Sequence, residues 1–211
     1  MSDEREIKLS VPDSFELPSL EGVAGLHVSD HGVKLLEGTY WDTPRMDLYR
    51  LGAGLRHRLT DGGQQTWTLK SDARRDGCAV VRRETDVPGD AVAPPEEVRA
   101  LLPAGVDQAS LRPVASIRTE RHVVDLLDES GQRWAELADD RVAVLRERQV
   151  VETFREVEVE MVGADDPSRA AAVVATLEAA GARDAGGRGK HSRALEALGL
   201  LPMDAPRDAV D

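Results

Sequence analysis

Near the N-terminus the chain reads Glu4-Arg5-Glu6-Ile7-Lys8, and near residue 160 it reads Glu156-Val157-Glu158-Val159-Glu160. Side chains two apart on a β-strand point to one face. Glu4, Glu6 and Lys8 therefore share a face, with Ile7 and Leu9 opposite, and Glu156, Glu158 and Glu160 share another, with Val157 and Val159 opposite. Between these segments the same spacing carries cations: Arg56 and Arg58, then Thr66, Thr68 and Lys70, then Arg82, Glu84 and Asp86. Half-buried strands ordinarily put such groups into water. Three carboxylates in a row nevertheless repel unless something neutralises them. A hard divalent cation does so because it takes oxygen ligands. Rows of Arg and Lys repel likewise unless a polyanion lies between them. Acidic and basic strand faces in one sheet point to a site for a metal together with phosphate.

The elements that must carry these rows are mostly strands. Residues 4–11, 33–42, 54–60, 65–70, 78–87, 114–127, 132–138, 141–148 and 151–162 read as strands. Asp61-Gly62-Gly63 gives a hairpin signal, and turns are expected at 129–131 and at Ala138-Asp139-Asp140. Residues 13–32 read as loop or weak helix. Helices are expected after Pro44 (with Asp42 or Thr43 as cap), over 94–105, over 165–181 with an Asp cap, and over 190–199. Short connections between so many strands imply an antiparallel sheet, either open or closed into a barrel.

Composition narrows the class. The chain has 211 residues, 41% of them hydrophobic, 31% charged and 3% aromatic, so aliphatic side chains must build the core. No stretch free of Asp, Glu, Lys and Arg exceeds eight residues, far short of the ~20 that a spanning helix needs. The charged start MSDEREIKL is no signal peptide, and a cytoplasmic location is the expectation. A net charge of −12 disfavours nucleic acid or a membrane surface as partner. Cys78 is the single cysteine, which excludes an intrachain disulfide, and it reads as a small buried side chain. His27 and His31 are four apart, but Gly25 and Gly32 argue against a regular helix there, and no third ligand is identifiable. The pair reads as surface loop. His57 and His122 are expected to face away from the cationic row.

The order of motifs resembles that of the CYTH superfamily, also called triphosphate tunnel metalloenzymes. The opening Glu-x-Glu-x-Lys stands as Glu4 to Lys8. Tyr40-Trp41-Asp42-Thr43-Pro44, Leu55-Arg56-His57-Arg58, Thr66-Trp67-Thr68-Leu69-Lys70, Arg82-Arg83-Glu84-Thr85-Asp86 and Glu156 to Glu160 follow in the family's order, with Asp86 in place of a Glu. PVASIRTER, AELADDRVAV and GKHSRAL look closest to members found with a helical CHAD domain. The resemblance implies an α+β fold: a closed, antiparallel eight-stranded barrel, open as a tunnel, with helices packed outside. Residues 1–202 would form this domain and 203–211 a polar, frayed tail.

The resemblance further implies a metal-dependent hydrolase of linear triphosphates. Tripolyphosphate is the first expectation, with thiamine or nucleoside triphosphates as alternatives. Lys8, Arg56, Arg58, Lys70 and Arg82 would cradle the phosphates, joined by Arg121 or Arg118 and by Lys190 at one tunnel mouth. Arg118 and Arg121 differ in parity, which favours Arg121 as the inward one. Glu4, Glu6, Glu156, Glu158 and Glu160 would form the wall that holds Mg²⁺ or Mn²⁺, with Glu136, Asp140 and Glu84 as further candidates. Glu4, Glu6 and Lys8 are the expected catalytic residues. Two rivals share the same grip: an adenylyl cyclase, and a non-catalytic polyphosphate- or triphosphate-binding module. A CHAD-type domain elsewhere is a possible partner.

Overall fold

The computed structural model describes residues 2–77, 79–162, 166–186 and 188–201. Cys78 and the tail from 202 onward, on which two of the expectations fall, lie outside them. Nine strands form one antiparallel sheet: β1 Ser2–Val11, β2 His27–Asp42, β3 Gly54–Thr60, β4 Gln65–Asp76, β5 Ala79–Pro88, β6 Arg112–Leu127, β7 Arg133–Arg146, β8 Gln149–Met161 and β9 Arg183–Asp184. The order is β5-β4-β3-β2-β6-β7-β8-β1-β9, and β5 also pairs with β1, so eight strands close into a ring and β9 lies beside β1. Four α-helices stand among the described residues: α1 Asp47–Arg50, α2 Glu96–Arg99, α3 Pro167–Ala179 and α4 Lys190–Ala197.

Closure gives every strand an inner and an outer face. The registers show that the charged alternate positions all fall on the inner one. Lys8 stands opposite Glu158, Glu136 opposite Glu160, Asp140 opposite Arg121, Arg56 opposite Thr68, and Glu4 opposite Arg82. Much of the outer face is apolar and covered by helices. Ile7, Leu9, Leu137, Val157 and Val159 pack with Val173 and Leu177 of α3. Leu55, Trp67 and Leu69 pack with Leu48 of α1 and Val98 of α2. The helix α4 lies across one end of the ring. Its Ala194 and Leu195 cluster with Tyr40, Ile117, Val142, Val144 and Phe154, which are inner-face residues beyond the charged rows.

The helix expected over 94–105 is only Glu96–Arg99, β4 runs past the expected residue 70 to Asp76, and two further elements differ from the sequence reading. Residues His27 to Gly32, read as loop, belong to β2. A bulge between Asp30 and Val33, with Gly32 at φ 72°, breaks the alternation that would have revealed the strand. Residues 132–148 do not form two strands with a turn at Asp139-Asp140, but one strand, Arg133–Arg146. Asp139 points outward to Arg155 (2.8 and 2.6 Å) and Asp140 inward to Arg121, so two buried ion pairs look like a polar turn. The real turn comes at Glu147-Arg148, both at positive φ. Asp42 meets its expected role: its carboxylate is buried and accepts from the amides of Thr43, Leu48 and Tyr49, fixing α1.

Leu195 is fully buried where α4 closes the ring. Leu195→Ala is expected to destabilise the protein by about 2–5 kcal/mol, the range for truncating a buried leucine. Urea unfolding followed by circular dichroism reads it directly; an unchanged midpoint would show that α4 is not anchored there.

Candidate functional site

The inner face encloses a cavity of about 600 Å³, whose lining includes the acids Glu4, Glu136, Glu158 and Glu160 and the cations Arg56, Arg58, Lys70 and Arg82. Lys8, Glu84, Asp86, Arg121, Lys190 and His191 complete its charged lining, with Tyr40, Gly54, Thr68, Met161 and Val162. Most of the cations are already paired. Lys70 Nζ is 2.7 Å from Glu4 Oε2 and 3.0 Å from Glu84. Lys8 lies 3.4 Å from both Glu6 and Glu158. Arg121 donates to Asp140 and to Glu158 (2.6 and 2.9 Å). Lys190 Nζ sits among Asp140 (2.8 Å), Glu158 (2.8 Å) and Glu156.

Arg56 and Arg58 differ from the rest: among the described residues they take part in no ion pair. Nε and one terminal nitrogen of Arg56 are buried without a hydrogen-bond partner, and the same is true of Arg82, which stands 3.2 Å from Glu6. Buried donors without acceptors are costly. An anion placed between these guanidinium groups would satisfy them. The neighbouring Arg56 charge, then burial and Arg121, pull the Arg58 guanidinium down to about 10. Gly38 makes the space: a Cβ there would come within 3.1 Å of Ile117 and 3.7 Å of the Arg56 side chain.

The acidic wall is crowded in the opposite sense. Glu6, Glu160, Glu136 and Asp125 stand opposite one another across β1, β8, β7 and β6. Burial, with Glu4 and Glu136 nearby, lifts the Glu160 carboxyl to about 7. Burial lifts Glu156 as well, although Lys190 opposes it. For Glu158 burial works the same way, but Lys190, Lys8 and Arg121 outweigh it and hold the carboxyl well below its usual range. Burial would also discharge Lys8 and Lys190, yet their carboxylate neighbours keep both above the ordinary lysine value.

Glu4, Lys8, Arg56, Arg58, Lys70, Arg82, Arg121, Glu136, Glu158, Glu160 and Lys190 thus meet in one cavity, as the sequence reading grouped them. Glu6, Asp140 and Glu156 share the inner face but are buried behind its surface. Oxygens of Asp140, Glu156 and Glu158 lie within 4.8 Å of one another, close enough to hold a metal ion, but the Lys190 ammonium already stands among them. Arg118 does not join the site: its even parity on β6 turns it outward, 56% exposed and 3.9 Å from Glu37. His57 faces the outer core against Trp67, and His122 pairs with Asp30. The sequence reading missed Asp125, which lies on the face of Arg121 two strand repeats further on. It holds His31 (2.9 Å) and Arg133 (3.3 Å), and Arg133 in turn reaches Glu136. Counting by twos from Arg121 would have found it.

A closed antiparallel ring with helices outside and opposed acidic and basic rows inside defines a charged tunnel fold. The sequence profile of the CYTH domain matches residues 2–181, and the chain belongs to this family. The uncharacterized protein Rv2226 of Mycobacterium tuberculosis is 36% identical over 140 residues, 66% of this chain, and the match spans 27% of that protein's length. Among solved structures, HpAC1 from Hippeastrum, described as an adenylyl cyclase candidate with a dominant triphosphatase activity, aligns with TM-score 0.61 and 19% identity over 96% of this chain and all of its own. The PH1819 protein of Pyrococcus horikoshii aligns with TM-score 0.54 and 17% identity, covering 90% and 98% of the two chains. At these identities the likeness concerns the fold. No helix among the described residues is long and apolar enough to cross a membrane.

The Glu160 carboxyl, raised from 4.5 to about 7, sets a pH dependence. Between those values the folded protein keeps a proton that the unfolded chain has lost. The group's stabilisation is therefore complete below about 4.5 and is lost as pH rises through about 7. Glu160→Gln, which cannot ionise, is expected to raise the thermal midpoint of the metal-free protein at pH 8 and to leave it nearly unchanged at pH 4. Parallel curves for variant and wild type across that range would refute the crowded carboxylate.

Proposed function

We propose that the protein is a divalent-cation-dependent hydrolase of linear triphosphates, with inorganic tripolyphosphate as the leading substrate. One observation carries the reading: the unpaired Arg56 and Arg58 face a wall of crowded carboxylates across a single cavity. Guanidinium groups grip phosphate oxygens as forks, and Lys acts as a point charge. Arg56 and Arg82 take the phosphates first, because buried donors of both are unmet, with Arg58 beside them on the cavity wall. Lys70, Lys8, Arg121 and Lys190 add charge as their carboxylate partners are drawn elsewhere.

The donor set fits a hard divalent cation. It offers oxygens alone, and burial together with the Glu4 and Glu136 charges lifts Glu160 to about 7, a cost that a doubly charged ion would remove. Glu4, Glu136 and Glu160 would hold Mg²⁺ or Mn²⁺, with Glu158 beside them. Glu6, between Lys8 and Arg82, keeps those two cations in place, while Asp140 and Glu156 hold Lys190. The ion would supply polarisation of the phosphoryl oxygens and charge for the transition state. Water attacks a terminal phosphorus, the P–O bond to the rest of the chain breaks, and orthophosphate and pyrophosphate leave. Such transfer needs little covalent work from the protein; position and electrostatics do most of it. A nucleotide-specific reading finds less support. The aromatic rings on the cavity wall are Tyr40 and His191, and they are stacked on each other at 4.3 Å.

Phosphate release from tripolyphosphate, thiamine triphosphate and ATP, each with Mg²⁺, Mn²⁺ or chelator, tests the activity. Release from tripolyphosphate that chelator abolishes is the expected result. Cyclic AMP as the main product from ATP would make it a cyclase, and tight binding without turnover would make it a binding module. Glu4→Gln is expected to lose turnover while keeping the fold.

A thermal-shift series tests the cradle. Saturation at a hundredfold over Kd stabilises by roughly 2.7 kcal/mol, a rise of about 5–10 °C for a domain of this size. Tripolyphosphate with Mn²⁺ is expected to give that rise in the wild type and little of it in the Arg56→Ala, Arg58→Ala double variant. The variant's own midpoint without ligand is expected to be equal or higher, since two like charges are gone. Equal rises in both proteins would place the phosphates elsewhere.

A further inference from the structure

The inner face of β2 carries Lys34, Leu36, Gly38 and Tyr40 at alternate positions. Lys34 stands opposite Arg121 in the β2–β6 register, and Arg121 lines the cavity. Leu36 is buried, whereas Val33 and Leu35 on the other face are 57% and 51% exposed. Lys34 is itself exposed. It therefore continues the inner face past the rim, at the end of the ring away from α4. On the neighbouring strand Arg56 pairs in register with Tyr40, Arg58 with Gly38 and Thr60 with Leu36. Arg56, Arg58 and, beyond the level of Leu36 and Thr60, Lys34 thus follow one another from the closed end to the open one.

These three also share a chemical state. Among the described residues none of them is in an ion pair, whereas Lys8, Lys70, Arg82, Arg121 and Lys190 all lie beside carboxylates. Positive charge outside any ion pair therefore runs in one line out of the cavity. We propose that Lys34 together with Arg58 forms a distal subsite for the phosphates beyond the third of a linear polyphosphate, whose chain runs from Arg56 out past the rim. The proposal rests on the triphosphate reading above and extends it. An exposed ammonium on a flexible stem serves any phosphate oxygen as a point charge. A base or a heterocycle would need a ring to stack on or a fixed pattern of donors and acceptors, and the cavity's rings sit near the α4 end, against each other. Across the rim, Arg133 and His31 are held by Asp125 and do not compete for the chain.

The test compares tripolyphosphate, linear hexaphosphate and ATP by calorimetry with Ca²⁺ present, in wild type, Lys34→Glu and Lys34→Arg. The wild type is expected to hold hexaphosphate more tightly than tripolyphosphate. Lys34→Glu is expected to weaken hexaphosphate about tenfold, a reversal of one exposed charge, and to leave the other two ligands within about twofold. Lys34→Arg is expected to keep the preference. Equal weakening of all three ligands, or no weakening of hexaphosphate, overturns the subsite while leaving the triphosphate reading intact. A wild type that binds no tripolyphosphate overturns both.

Discussion

Closing eight strands into a ring encloses every second side chain of each strand, and in this protein many of those side chains are ionised. Charge taken out of water must be matched by charge, since several kcal/mol attend each unmatched ion. The arrangement of the inner wall follows from that requirement. Lys190 stands among Asp140, Glu156 and Glu158, Lys70 between Glu4 and Glu84, and Arg121 between Asp140 and Glu158. Where the matching is incomplete, the residue left over is informative. Arg56 and Arg58 take part in no ion pair among the described residues, while Glu160 has carboxylates crowded around it. An unpaired cationic strand and an overfull acidic one face each other across the same cavity.

The outer surface follows a simpler rule. Apolar alternate positions on the ring's outside need covering, and α1, α2 and α3 supply it. Arg155 is the exception: it lies on the outer face, yet it is buried against Asp139 and the carbonyls of Asp13 and Phe15. It ties the segment after β1 to the wall.

Much of this was legible in the sequence because a period of two is hard to disguise. Glu4-Glu6-Lys8 and Glu156-Glu158-Glu160 announced both the strands and the face, and motif order led from there to the family. Three kinds of information were hidden. The bulge at Asp30–Val33 reset the alternation, so the first part of β2, residues 27–32, read as loop. Asp139-Asp140 looked like a turn because sequence shows two adjacent acids but not the two arginines that take them in opposite directions. The pairing state of each cation depends on strand register. No local pattern tells that Lys70 is occupied while Arg58 is not.

The helix α4 lies across one end of the ring, its Ala194 and Leu195 seated in the apolar part of the inner face. Traffic through the cavity is then that of a blind alley. On the triphosphate reading, a linear substrate would enter end first, and its fragments would leave by the way the parent came in. The middle of a long chain has no route to the deep arginine; a free terminus does. A spent anion lingering near the mouth would also block the next arrival, so turnover would be governed by how quickly the passage clears.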